Sequence, residues 1–268
     1  MGRSTDFIIW FILHYNSEMI DTHAHIRKGE EIRIEGLDWV VLSGPNMAES
    51  KDNVEIAKMN PKLRAAVGIH PQELDSGNID KNINELDKIL DENPDIVAVG
   101  ECGLDFSENP LKSPFDKRDF QEMERLFRGQ IALSLKHKKP LIVHSRKAME
   151  ETLEILGSYK NLRGVIHCYS GGKKRVQKVL DLPGEWYFGI DGNLTYEDGL
   201  AEVVKLIPKD RLLLETDSPE LTPLPFRGEK NYPEYVKYIY QKVAKIWQMS
   251  LKETEKIIDE NAKKLFGV

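Results

Sequence analysis

The chain alternates short apolar runs with longer stretches in which apolar residues recur every three or four positions. The short runs are nearly continuous in apolar residues, as is typical of strands that are buried on both faces of a sheet. These runs span residues 19–26, 39–44, 65–71, 96–105, 140–145, 164–170, 186–191 and 211–218. The pattern therefore predicts eight strands of a parallel sheet.

The stretches between the runs have the period of amphipathic helices. One of them carries Phe120, Met123, Phe127 and Ile131 at spacings of three and four residues. Near the end of the chain, Ser250 with Glu253 three residues later is the signature of a capping box. Strands alternating with helices, with no break in composition over 268 residues, predict an α/β fold that is a single-domain (β/α)8 TIM barrel. An open, doubly wound sheet is the alternative.

Two segments depart from a regular repeat. Only about a dozen residues separate the first two runs, which is too few for a full crossover helix, so we expect an irregular connection or one helical turn there. Residues 1–18 precede the first run and include an apolar stretch that is far too short to span a bilayer. We expect 1–18 to be an N-terminal extension, either native or not, and 19–268 to form the functional domain.

Charge and cysteine content limit the classes of function. The chain has 38 Lys and Arg against 44 Asp and Glu, a net charge of −6. This balance argues against a protein that coats duplex DNA, but not against an enzyme that binds a few phosphates in one cleft. Two cysteines and no recognisable leader favour a cytoplasmic protein. Alternation along the strands predicts that both thiols point away from the strand-end cluster described next. We expect a monomer with no membrane association.

Histidines and carboxylates gather where predicted strands end. Five of the seven histidines follow this rule, and so do two acidic residues; the set is His23, His25, His70, Glu101, His144, His167 and Asp217. In a barrel, this edge is where active sites are built. His23 and His25 are two positions apart on a strand, so their rings face the same side. His70 taken alone is equally well interpreted as a packed core residue.

Imidazole and carboxylate together bind Zn²⁺, Mn²⁺ and related ions, so the sequence predicts a metal centre. Without His70, six ligands remain, which is more than one tetrahedral zinc needs. A two-metal centre with one bridging carboxylate uses them all.

The motifs "DTHAHI", "GIHP", "VGECGLDF", "PLIVHSRKA", "HCYSGG" and "LLLETDSPELTP", in this order, resemble the TatD family of metal-dependent deoxyribonucleases, which belong to the amidohydrolase-like barrels. The resemblance covers residues 19–268. It implies two divalent ions, either Zn, Mg or Mn. It also implies that the first ion is held by His23, His25, Glu101 and Asp217, and the second by Glu101, His144 and His167.

The resemblance further implies hydrolysis of DNA phosphodiester bonds. The activity it implies is that of a 3'-5' exonuclease with nucleic acid as the substrate. We assign catalytic roles to Asp217, as general base, and to the bridging Glu101. His70, Arg146 and Arg227 are the candidate substrate-binding residues, because phosphate needs cationic or N–H partners. Gln72 stands where the family often has a second histidine. Glu229 and Tyr232 also depart from the family pattern.

Three functions remain open. The first is the nuclease. The second is a hydrolase of a small ester, lactone or amide, or a deacylase of aminoacyl-tRNA, because the same centre on the same fold serves any of them. The third is a binding protein without catalysis. Metal stoichiometry separates the third from the others, and substrate profiling separates the first two.

Overall fold

The computed structural model describes residues 19–107 and 117–268, so the N-terminal extension expected at 1–18 lies outside the described residues. Eight strands form one parallel sheet in the order of the chain. They are β1 (Met19–Ala24), β2 (Leu37–Leu42), β3 (Leu63–Val67), β4 (Ala98–Asp105), β5 (Leu141–Arg146), β6 (Arg163–Ile166), β7 (Glu185–Ile190) and β8 (Leu212–Leu214).

The sheet closes on itself, which confirms the barrel and excludes the open sheet. Ala24 at the end of β1 forms a parallel bridge with Ser218, just beyond β8. The His25 amide donates to the Ser218 carbonyl at 2.8 Å, and the Asp217 amide donates to the His23 carbonyl at 2.9 Å. Closure therefore brings the first and last predicted site motifs into direct contact.

Helices alternate with the strands, as the sequence pattern predicted. They are α1 (Met47–Met59), α2 (Ile79–Glu92), α3 (Lys117–His137), α4 (Met149–Gly157), α5 (Lys173–Leu180), α6 (Asp198–Val204), α7 (Val236–Trp247) and α8 (Leu251–Phe266). The capping box is present at the start of α8, where Ser250 and Glu253 bond reciprocally. Residues 25–36, between β1 and β2, form turns without a helix, so the connection is irregular. No helix in the described ranges is long and apolar enough to cross a membrane.

The barrel interior is filled by one set of apolar side chains drawn from every strand. This set includes Ile20, Val41, Ala66, Ala98, Ile142, Val165, Tyr187 and Leu213. Ala262, Leu265 and Phe266 of α8 belong to the same cluster, so the last helix covers the N-terminal end of the barrel. The opposite, C-terminal end is left for polar side chains.

Candidate metal centre

A cleft of about 810 Å³ opens at the C-terminal ends of the strands. Most of the predicted site residues line it: His25, His70, Glu101, His144, Arg146, His167 and Asp217. His23 lies fully buried beneath it, in contact with Glu101 and Asp217. Because strands end at the rim and their motifs continue past them, side chains distant in sequence converge here.

Four side chains form what we call the first cluster: His23, His25, Asp217 and the Oε2 atom of Glu101. The Nε2 atoms of His23 and His25 are 3.2 Å apart, and each lies 3.4 Å from Oδ1 of Asp217. Oε2 of Glu101 is 3.4 Å from Nε2 of His23 and 3.6 Å from Nε2 of His25. Bonds of about 2.0–2.2 Å to a tetrahedral zinc give ligand separations of roughly 3.3–3.6 Å. The donors fit a divalent cation.

The other oxygen of Glu101 belongs to a second cluster, with His144 and His167. Oε1 of Glu101 lies 2.9 Å from Nδ1 of His144 and 2.8 Å from Nε2 of His167. These two ring nitrogens are 3.2 Å apart. Glu101 thus presents one oxygen to each cluster, which is the arrangement of a bridging carboxylate.

Burial and charge create a demand for cations at this centre. Burial alone would lower the pKa of His167, but the carboxylates of Glu101 and Glu215 raise it well above its ordinary value. Burial alone would raise the pKa of Glu101, yet the charge of His167 and hydrogen bonds from His144 and His167 hold it well below its ordinary value. Positive charge stabilises the carboxylate here, as a divalent cation would.

The far nitrogens of the four ligand-type rings have unequal partners. Nε2 of His144 faces Oδ2 of Asp105 at 3.1 Å, and Nδ1 of His167 faces Oε1 of Glu215 at 3.6 Å. In the first cluster, Nδ1 of His25 faces the Ser43 carbonyl at 3.1 Å. Nδ1 of His23 and Nδ1 of His167 are both buried without a hydrogen-bond partner among the described residues, although Nδ1 of His167 has the Glu215 carboxylate within ion-pair distance.

Sequence reasoning missed Asp105 and Glu215. Asp105 lies four positions after Glu101, and Glu215 lies two positions before Asp217. Even spacing on a strand places side chains on the same side, and this spacing was the signal in the sequence. Burial raises the pKa of Asp105, but hydrogen bonds from His144 and Ser107 outweigh it and hold that pKa at about 2. Gly189 leaves the space for Glu215, because a Cβ there would lie 2.4 Å from its carboxylate. Such partners orient a ligand ring and raise its basicity.

The family model of the TatD-related DNases matches residues 20–267, nearly all of the chain. The chain belongs to the TatD-related DNase family. It is 34% identical over 266 residues to the metal-dependent hydrolase YabD of Bacillus subtilis, covering 93% of this chain and 99% of YabD. This TatD member is accordingly a metal-dependent hydrolase.

Two further comparisons also match proteins of the TatD family. The 3'-5' ssDNA/RNA exonuclease TatD of Citrobacter rodentium is 32% identical over 243 residues, covering 87% of this chain and 88% of that protein. The crystal structure of YJJV, a TatD homolog from Escherichia coli, superposes with a TM-score of 0.83 at 25% identity, covering 94% of this chain and 99% of that one. The eight-stranded barrel is therefore the fold of this TatD protein and of its structural neighbour.

His70 of this TatD member is a neutral N–H donor. The backbone N–H of Gln72 donates to its Nδ1 at 3.1 Å, which leaves the ring proton on Nε2. Nε2 lies 3.5 Å from Oε1 of Glu101 and faces the cleft. Burial lowers the pKa of His70 to about 4, so the ring is uncharged at neutral pH.

Cys168 does not point away from the centre, which corrects the prediction from strand alternation. β6 ends at Ile166, and Cys168 has a left-handed backbone with φ of 42°. This conformation breaks the two-residue alternation, so the thiol lines the cleft and donates to Oδ2 of Asp217 at 3.5 Å. Cys102 does lie buried, with its sulfur 3.6 Å from the Ile142 carbonyl. Both thiols are free.

The predicted substrate-binding arginines lie in different places. Arg146 is exposed and lines the cleft, and no ion pair joins it to a carboxylate of residues 19–107 or 117–268. Arg227 stacks over the ring of Tyr196 at 4.1 Å and is absent from the cleft lining. Its contact with substrate stays a prediction.

Proposed function

We propose that this TatD protein is a nuclease that removes nucleotides from the 3' end of single-stranded nucleic acid, using two divalent cations. The observation that carries the proposal is Glu101, whose two oxygens face two separate groups of donors. The names of the exonuclease relatives, at 32% identity over most of both chains, support the choice of substrate. Zn²⁺, Mn²⁺ and Mg²⁺ are the candidate ions.

In this proposal the first cluster holds one cation and the second cluster holds the other. Bound there, the pair would activate water and polarise the scissile phosphoryl group. Asp217 serves as the general base. Burial raises its pKa, but hydrogen bonding to His25 and the charges of His23 and His167 lower it further than burial raises it. Asp217 is therefore ionised at neutral pH. Its Oδ2 atom accepts a long hydrogen bond from the Cys168 thiol and has a further lone pair that would accept the proton of the attacking water.

Two cleft residues are placed to bind the phosphate. The Nε2–H of His70 would donate to a phosphoryl oxygen without adding charge. Arg146 would supply the cationic contact, because its guanidinium is free of competing carboxylates in the described ranges. Arg binds phosphate in a bidentate manner and so fixes its orientation.

The test is degradation of an end-labelled single-stranded oligonucleotide by cation-loaded protein. We expect a ladder that shortens from the 3' end and disappears with EDTA. Asp217→Asn should reduce the rate by at least about 100-fold, because it removes the base and a charged ligand. Asp87→Asn is the matched control: Asp87 pairs with His137 at 2.7 Å on the outer helices, and its substitution should leave the rate unchanged. An intact oligonucleotide with both cations bound would refute the nuclease.

One observation favours a second candidate function. The outer cleft lining carries four carboxylates, Glu30, Glu49, Glu73 and Glu220, against Arg27 and Arg146. An acidic rim suits a small ester, lactone or amide, or an aminoacyl ester whose amino group is cationic. Turnover of these substrates by protein that leaves the oligonucleotide intact would select this candidate.

A further inference from the structure

We propose that Gln72 and Asp105 are positioning residues that fix the His144 ring so that its Nδ1 atom serves the second cluster. The inference rests on the proposed two-cation centre. It concerns a carboxylate and an amide that contact no proposed cation themselves.

Both nitrogens of the His144 ring face a carboxylate. Its Nε2 lies 3.1 Å from Oδ2 of Asp105, which as a carboxylate can only accept a hydrogen bond. The other nitrogen, Nδ1, lies 2.9 Å from Oε1 of Glu101, which is also a carboxylate, so both nitrogens can carry a proton while no cation is bound. A cation in the second cluster would displace the proton of Nδ1, and Asp105 would keep the remaining proton on Nε2. Asp105 thus selects the tautomer that can bind a cation in the second cluster.

Asp105 is itself held from two sides. The Ser107 amide donates to Oδ1 at 2.7 Å, and the side-chain amide of Gln72 donates to Oδ2 at 2.8 Å. The carboxylate is 3% exposed. Gln72 also donates to the Ser107 hydroxyl at 3.2 Å, so one side chain ties the carboxylate to its own loop. A series of hydrogen bonds therefore connects Gln72 through Asp105 to His144.

The same contacts argue against an additional cation among His70, Asp105 and His144, whose donor atoms lie close together. Oδ2 of Asp105 already accepts from the Gln72 amide and from His144. Nδ1 of His70 accepts from a backbone N–H, and its remaining nitrogen carries a proton. An amide nitrogen is a donor and binds no cation. Gln72, where the family often has histidine, therefore makes this corner a hydrogen-bonded support.

The experiment is calorimetric titration of the cation-free full chain with Zn²⁺, run beside ¹⁵N NMR of histidine-labelled protein. We expect two binding events in the wild-type protein. Asp105→Asn should weaken one of them by about 10- to 100-fold, and Gln72→Met by several-fold, while the other Kd stays within about twofold. In the Zn²⁺-loaded protein, the His144 ring, assigned by comparison with His144→Gln, should be protonated on Nε2 alone in the wild type and lose that preference in Asp105→Asn.

Asp87→Asn is again the matched control, because it breaks a carboxylate–histidine pair that lies outside the cleft. Two unchanged dissociation constants in folded Asp105→Asn, or a Zn²⁺-loaded wild-type His144 ring protonated on Nδ1 instead of Nε2, would overturn the inference. If Asp105→Asn does not fold, as judged by circular dichroism, Gln72→Met decides in the same way. Fewer than two binding events in the wild type would instead refute the two-cation proposal, and the NMR measurement would still test whether Asp105 holds a proton on Nε2 of His144.

Discussion

The first and second clusters share Glu101 but differ in how negative charge reaches the proposed cation. The first cluster contains a second carboxylate, Asp217, and its rings have only a backbone carbonyl or no partner behind them. The second cluster has no carboxylate beyond Glu101. Its two rings instead face carboxylates on their far side, His144 at hydrogen-bond distance from Asp105 and His167 at ion-pair distance from Glu215. In the first cluster, both negatively charged carboxylates face the proposed cation directly. In the second cluster, the additional carboxylates act on the cation through the imidazole rings that they face.

Because of this difference, we expect different substitutions to weaken cation binding in the two clusters. A cation in the second cluster depends on ring basicity, which the backing carboxylates raise. A cation in the first cluster depends on Asp217 itself, which is also the proposed base. In the first cluster, one residue therefore serves both as the proposed general base and as a proposed cation ligand. The second cluster contains no proposed general base.

The largest effect is expected where the clusters meet. Glu101→Gln keeps the size of the side chain but removes the charge shared by both clusters. We expect the bound metal, measured by elemental analysis, to fall from two ions to below one, and activity to fall at least about 10³-fold. Retention of two ions would show that the clusters do not depend on a common bridge.

A smaller effect is expected from the partner of His167. Glu215→Gln should weaken the second cluster's cation by about 10- to 100-fold and spare the first. Ser43 makes the corresponding contact through its carbonyl, so Ser43→Ala should change neither Kd. Equal weakening of both cations by Glu215→Gln would remove the distinction between the clusters.

The smallest effect is a pH dependence of the cation-free protein. The folded-state pKa of His167 is raised, so its stabilising contribution is complete below the unfolded value of about 6.5 and is lost as the pH rises. His167 alone should lower the free energy of unfolding, from denaturant titration after EDTA treatment, by up to about 1.4 kcal/mol per pH unit above pH 6.5. His167→Gln should reduce the slope but not abolish it, because the pKa values of His25 and His144 are raised as well. A free energy that rises over the same range would contradict the assigned shift.

Much of the fold was predictable because the apolar runs, the helical period and the capping signal all indicated the same alternation of strands and helices. Apolar runs gave the strands, the helical period gave α3 and α7, and the capping box gave the start of α8. Strand ends were less accurate. β6 stops at Ile166 and β8 at Leu214, before the motifs that follow them, because the site residues adopt irregular backbone beyond the ladder.

The ligand-type residues could be chosen from the sequence because histidine and carboxylate at strand ends are chemically distinctive. Their partners could not. Asp105 lies in β4 and Glu215 just after β8, like ordinary buried polar residues, and only the closed barrel reveals which ring each one faces. Cys168 was misplaced because alternation says nothing once a residue takes a left-handed conformation. The assignment of individual ligands stays a prediction until metal is measured.

Barrel closure also has a consequence for synthesis of the protein. A nascent chain that ends before β8 already carries Glu101, His144 and His167, but it lacks Asp217. It also lacks α8, whose Leu265 and Phe266 belong to the interior cluster. The first cluster and the covered end of the barrel therefore form only after nearly the whole chain has left the ribosome. A nascent chain in which β8 has not yet left the ribosome therefore lacks part of the proposed centre.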